Sequence, residues 1–304
     1  MSHILCEIDD TPGARTARVM LHHAGKFNAM SRSMWRQLRD VFLDLQTRTQ
    51  ATDPLRCVVV HGADGHFCAG GDISEYPAFR FAPDSLRAFH EEDVWGALSA
   101  MLTCNCPLVA AIDGHCMGAG IEIASCCDIR IATIVSRYGA PIGKLGFPMA
   151  PRETALLTRT LGETCARSML LEAAVYSATD MLQRGFLTRT VSDAHALQTE
   201  CERTVSAICR LGPASLQMNK QNLRGLCTAG SDPVLADAYA YASSGEHREG
   251  SFQGGERGPR QGDRPYRDER RERRPEGDRR DGPRRFEEGG HRTRHRPTAN
   301  QIVE

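Results

Sequence analysis

The chain has 304 residues, with 38 Lys plus Arg against 38 Asp plus Glu and 40% apolar residues, enough for one large or two ordinary globular domains. The zero net charge joins two unlike parts, because residues 251–304 carry 15 Arg against 11 Asp or Glu, a net of +4, and leave −4 on residues 1–250. No run approaches the roughly 18 apolar residues of a spanning helix. The N-terminus Met-Ser-His-Ile-Leu-Cys-Glu has neither a basic nor an apolar leader region, and 12 cysteines lie between Cys6 and Cys227, so a cytoplasmic chain with reduced thiols and no membrane contact is expected.

Short apolar runs alternate with longer amphipathic ones, the pattern of an α/β protein. Residues 18–21 and 57–60 predict strands. Between them Ser31 can cap a helix whose Met34, Trp35, Leu38, Val41, Phe42 and Leu45 recur at helical spacing. Residues 84–102 predict a second helix, 108–112 a strand, 117–127 a short apolar helix and 129–132 another strand. After Phe147 the pattern is helical, over 152–161, 164–171, 178–184, 194–211, 214–226 and 233–243, with one strand at 187–191. The expected organisation is an α/β core over 1–190, a helical region over 191–249 and a disordered Arg/Gly/Pro-rich tail over 250–304. Within that tail residues 251–300 contain only four apolar side chains, Phe252, Tyr266, Phe286 and Ala299, too few to build a core.

Two glycine-rich turns follow predicted strands. The first is His66-Phe67-Cys68-Ala69-Gly70-Gly71-Asp72-Ile73, where a double glycine lets a backbone N–H approach a ligand without a Cβ in the way. The second is Gly114-His115-Cys116-Met117-Gly118-Ala119-Gly120, at a helix start, where unpaired N–H groups and the helix dipole favour negative charge. One donor from each would make an oxyanion hole. Glu122, the only charged residue between Gly114 and Cys127, lies three positions beyond Ala119 on the same helix face. Its apolar neighbours raise its pKa while the helix N-terminus lowers it, and the two influences oppose. Singly, such a turn is ordinary and such a glutamate suits the dipole; together and in this order they are less ordinary, and two such donors near a carbonyl oxygen could stabilise an enolate.

The order Lys26-Phe27-Asn28-Ala29-Met30, Phe67-Cys68-Ala69-Gly70-Gly71-Asp72-Ile73, Gly118-Ala119-Gly120-Ile121-Glu122-Ile123-Ala124 with Cys127-Asp128, and Tyr138-Gly139-Ala140-Pro141 with Leu145-Gly146 resembles the enoyl-CoA hydratase/isomerase (crotonase) family from residue 5 to about 250. The resemblance implies a crotonase-like spiral of ββα units with a helical C-terminal region and an acyl-CoA thioester as substrate. It also implies a homotrimer or dimer of trimers. By position it gives Gly71 and Ala119 as the oxyanion donors and Glu122 as the acid/base. Lys26, Phe27, Ala29, Ala69, Gly70, Asp72, Ile73, Ser74 and Gly118 fall on the segments that hold the substrate. No cofactor is implied beyond the coenzyme A of the substrate, and no metal.

Two departures stand out. Hydratases of the family carry a second glutamate where this chain has Ile142, so hydration rests on Glu122 alone and isomerisation, decarboxylation, thioester hydrolysis or non-catalytic acyl-CoA binding compete with it. The family's last helix also gives way to the Arg-rich tail, which could contact RNA through phosphates, although its acidic residues weaken that attraction and make nucleic acid an unexpected partner. Lys144, two residues beyond Ile142, could reach the site, although a solvated side chain is the commoner reading. Cys68 and Cys116, inside the two turns, are candidates to line the pocket. Cys104 with Cys106, Cys126 with Cys127, and His22 with His23 lack a second pair at ligand spacing.

Overall fold

The computed structural model describes residues 2–227, with side chains to residue 224. Helix 233–243 and the tail from 250 lie outside the described residues.

Strands β1 (Ser2–Asp9), β2 (Thr16–His23), β3 (Cys57–Gly62), β4 (Leu108–Ile112), β6 (Ile129–Thr133) and β9 (Arg189–Val191) form one sheet in the order β1-β2-β3-β4-β6-β9. Only β1 is antiparallel to its neighbour; every other pair is parallel. Parallel central strands are covered on both faces, which is why Cys57-Val58-Val59-Val60 is an unbroken apolar run, fully buried but for Val59 at 3% exposure. Val58 and Val60 face the main core with Trp35, Phe42 and Leu98, while Cys57 and Val59 face a second layer with Val109, Ile131, Leu197, Cys201 and Ile208. That second layer is roofed by α8 (Ala194–Cys209).

Helix α1 (Arg32–Arg48) starts where expected: the Ser31 side chain accepts from Met34 N–H, and Met34, Trp35, Leu38, Phe42 and Leu45 are its buried stripe. The predicted helix at 84–102 is observed as α2 (Pro83–Ala88), a π-helical turn (Phe89–Val94) and α3 (Trp95–Thr103). The wider turn holds buried Asp93 between Arg32 and Arg36 of α1 (both 2.7 Å).

The predicted helix at 117–127 is shorter, α4 (Ala119–Ser125), because Met117 belongs to a strand, β5 (His115–Met117). A second small sheet, β5-β7-β8, is completed by β7 (Arg137–Gly139) and β8 (Val175–Ser177). Helices α5 (Pro151–Leu161), α6 (Glu163–Leu171) and α7 (Ala178–Gln183) follow the helical reading, and α9 (Pro213–Cys227) follows α8. Lys220 of α9 fastens that helix to the base of β4, its Nζ donating to Asp128 Oδ2 and Cys106 O (both 2.8 Å). Among the described residues no helix is long and apolar enough to cross a membrane.

Candidate active site

Parallel neighbours β3 and β4, in register from Val58 opposite Leu108 to His61 opposite Ala111, leave the sheet at the same edge. The pairing continues past the strands: Phe67 N–H donates to Asp113 O (2.8 Å), Cys68 N–H to His115 O (2.8 Å) and Met117 N–H to Cys68 O (2.9 Å). The two glycine turns therefore lie side by side. Gly118 opens α4 with φ +47°, and a Cβ on Gly120 would stand 2.6 Å from Cys68 O, so only hydrogen fits there.

A parallel bridge joins Met30 to Gly71. Met30 N–H donates to Gly70 O and Asp72 N–H to Met30 O (both 2.8 Å), so the intervening Gly71 N–H points away from Met30, on the side of the cavity that Gly71 lines. Ala119 is the first residue of α4, and a first-turn N–H has no acceptor within its own helix. Gly71 and Ala119 both line one cavity of about 470 Å³.

Of the residues read from sequence, Ala69, Gly70, Gly71, Ile73, Gly118, Ala119 and Glu122 line this cavity, beside Trp35, Tyr76, Val94, Met117, Phe147 and Met149. Glu122 is 6% exposed. Burial first, and then the charge of Glu153, push its carboxyl well above the usual range.

Glu153, in the first turn of α5, also lines the cavity, is 3% exposed, and receives His90 Nδ1 at 3.0 Å. Neither residue was legible as a site residue. The π-helical turn carries His90 inward, and α5 packs beside α4, so the two meet across 63 positions of sequence.

The remaining predicted residues lie in the first glycine turn and in the 26–30 loop bonded to it. Asn28 is 2% exposed: its Nδ2 donates to Ala63 O (2.8 Å) and His66 O (2.7 Å), and its Oδ1 accepts from His23 N–H (3.1 Å). These bonds hold Phe27 (φ +47°) and Asn28 (φ +61°) in a left-handed loop. Ala69 N–H donates to Phe27 O (3.0 Å), tying that loop to the first glycine turn. Lys26 Nζ donates to Asp72 Oδ2 (2.6 Å) and Ser74 Oγ (2.9 Å). Burial alone would raise the Asp72 carboxyl; Lys26 and the Ser74 hydroxyl and N–H outweigh it and hold it below its ordinary value. Phe27 is 55% exposed and meets His66 edge-on at 4.6 Å. Lys26, Phe27, Ala29, Asp72 and Ser74 are not lining residues of the cavity.

One expectation changes. Cys68 and Cys116 do not line the cavity: they face each other in an isolated bridge, fully buried beneath the turns, and burial pushes the Cys68 thiol up to about 12. Lys144 is exposed, as read, yet it also lines the cavity beside Ile142. Among the described residues no group of three or more His, Cys, Asp or Glu is placed to hold a metal ion.

The family model described as Enoyl-CoA hydratase/isomerase matches residues 13–241. The mevalonyl-coenzyme A hydratase SIDH of Beauveria bassiana is 30% identical over 222 residues, 71% of this chain and 76% of that protein. The mitochondrial Delta(3,5)-Delta(2,4)-dienoyl-CoA isomerase of Mus musculus is 27% identical over 214 residues, 67% of this chain and 64% of that protein. The crystal structure of an enoyl-CoA hydratase/carnithine racemase from Magnetospirillum magneticum superposes with a TM-score of 0.67 at 29% identity, covering 73% of this chain and 80% of that one. With the crotonase fold and the two glycine turns in place, the chain belongs to the enoyl-CoA hydratase/isomerase family.

Proposed function

We propose that the chain is an enzyme acting on an acyl-CoA thioester through an oxyanion-stabilised enolate. Gly71 and Ala119 N–H donate to the thioester oxygen, and Glu122 moves the proton at the α-carbon. The observation that carries this reading is the meeting, in one cavity, of two backbone N–H groups from separate turns with a buried carboxylate one helical turn from Ala119. Fixed donors of this kind act where charge develops, and removing one costs 10²–10³-fold in rate where that has been measured. The raised Glu122 carboxyl holds a proton more readily than a solvated glutamate, which suits a group that gives a proton as well as taking one.

One relative named above is a hydratase and another an isomerase, and both reactions can pass through the same enolate. Hydratase/isomerase-type chemistry is therefore the reading, with the acyl group left to the substrate screen. The exposed Phe27 ring offers a flat face to a nucleotide base, and the neighbouring Lys26, with its side chain 43% exposed, offers a charge to a phosphate while Asp72 and Ser74 orient it. The substrate's own coenzyme A is the only cofactor-like group required. Exposed Ile134, Val135, Leu171 and Val175 leave apolar surface that supports a homotrimer or dimer of trimers.

The test is a panel of CoA thioesters incubated with purified protein, with products identified by mass. Turnover of at least one enoyl-CoA to a hydrated or isomerised product is expected. Binding with no turnover would make the chain a non-catalytic acyl-CoA binder, and absence of binding would remove the reading altogether.

A further inference from the structure

A lone carboxylate cannot divide the work of adding water to a double bond, which needs one group to take a proton from water and another to give a proton to carbon. Position 142 offers only an isoleucine. Yet the cavity holds a second carboxylate, Glu153, on a different helix, and the chain invests a buried histidine in it. His90 and Glu153 are 5% and 3% exposed, and Nδ1 to Oε1 is 3.0 Å. A buried carboxylate is costly unless it is hydrogen-bonded, and a cavity wall needs no charge. A carboxylate with its own positioning partner, facing the same space as Glu122, is an arrangement that chemistry explains and packing does not.

Resting on the acyl-CoA reading above, we propose that Glu153, positioned by His90, is the second acid–base carboxylate of this site and that with Glu122 it adds water across the α,β double bond of an enoyl-CoA thioester. The Glu153 carboxylate takes a proton from a water molecule as the water oxygen bonds to the β-carbon. The π electrons of the double bond move to the α-carbon and thioester oxygen, where Gly71 and Ala119 N–H hold the charge. The Glu122 carboxylic acid then gives its proton to the α-carbon. The product is the substrate plus one water, Glu153 is left protonated and Glu122 ionised, and a proton exchanged through solvent restores the starting pair.

The division of roles follows from position. Glu122 is one turn from the Ala119 donor that marks the thioester oxygen, hence beside the α-carbon; Glu153 enters from α5 with an imidazole behind it. The two carboxyl groups line one cavity from different helices, α4 and α5, so that an acid and a base can serve one substrate from separate positions. The charge of Glu153 is the second cause, after burial, of the raised Glu122 carboxyl. Among the described residues, the other titratable groups that line the cavity are His90 from the π-helical turn, Tyr76 from the 3₁₀ turn at Ile73–Ala78, and Lys144, and the buried thiols of Cys68 and Cys126 also feel the charge of Glu122.

The experiment follows two reactions of the same proteins: hydration of trans-2-enoyl-CoA thioesters from butenoyl to decenoyl, and exchange of α-hydrogen for deuterium in the matching saturated acyl-CoA in deuterium oxide. For Glu153→Gln the ratio of hydration to exchange is expected to fall roughly 10²- to 10⁴-fold, whereas Glu122→Gln loses both reactions. His90→Leu is expected to lower hydration, and His90→Asn, which keeps an N–H near the place of Nδ1, to recover most of it. Glu153→Gln hydrating at the wild-type rate would overturn the proposal and leave the acyl-CoA reading standing. Equal losses in His90→Leu and His90→Asn would overturn the positioning role of His90. Wild-type protein that neither hydrates nor exchanges any thioester would instead remove the reading beneath it. Circular dichroism and calorimetric affinity for the saturated thioester identify any variant that fails to fold, and the two His90 variants test the proposal if Glu153→Gln is one of them.

Discussion

Replacing Glu122 by Gln keeps the side chain's size and removes its charge and its proton, and the structure predicts two effects of opposite sign. Activity falls: acid–base catalysis by a positioned group contributes about 10²–10⁴-fold, or about 3–5 kcal/mol of barrier at roughly 1.4 kcal/mol per decade. Stability rises, because Glu122 is 6% exposed and both its burial and the charge of Glu153 oppose ionisation. An acid whose pKa is higher in the folded chain binds protons more tightly there. Its contribution is fully present below the unfolded value, about 4.3 for glutamate, and is lost as pH rises through the raised folded value. The gap between Glu122→Gln and wild type therefore opens upward with pH. Leaving a buried polar group poorly satisfied costs about 1–3 kcal/mol, and for a body of this size each kcal/mol moves Tm by roughly 2–4 °C. Thermal unfolding at pH 5 and pH 8, beside turnover of the enoyl-CoA panel, reads both effects. A variant with full turnover, or one less stable than wild type at pH 8, would refute the reasoning.

Other substitutions separate the parts of the site. Ala119→Pro removes one N–H at a first helical position, where proline is tolerated; kcat is expected to fall 10²–10³-fold, with free coenzyme A binding retained in calorimetry. Gly120→Ala places a Cβ 2.6 Å from Cys68 O and must part the two turns, which should cost about 1–3 kcal/mol in chemical denaturation and most of the turnover. Asn28→Ala removes three hydrogen bonds that hold the left-handed Phe27–Asn28 loop. A higher KM for the thioester with a smaller change in kcat is expected, and an unchanged KM would detach this loop from substrate binding.

Local signals were readable in the sequence and tertiary ones were not. Ser31, the stripe from Met34 to Leu45 and the apolar run from Cys57 to Val60 reveal themselves through capping, period and burial on both faces. The strands β5, β7 and β8 are three residues each, too short to show alternation, and β5 merges with an apolar helix that follows it. The edge strand β1 is mostly half-exposed, which blurs its pattern. Glu122 could be found because its turn, its helix and its apolar neighbours are contiguous. Glu153 could not: a glutamate in the first turn of a helix suits the dipole, and only the fold shows that this one is buried, meets His90 and shares a cavity with Glu122. For Cys68 and Cys116, the continued pairing of their segments turns both side chains into the core.

The central claim is that the two glycine turns and Glu122 form and discharge an enolate on a CoA thioester. Incubating the full chain with saturated acyl-CoA thioesters in deuterium oxide, and reading deuterium at the α-carbon by mass and proton magnetic resonance, tests it most directly. Incorporation into at least one thioester, abolished in Glu122→Gln and strongly reduced in Ala119→Pro, is the result predicted. Tight binding of the same thioesters with no deuterium at the α-carbon would contradict it.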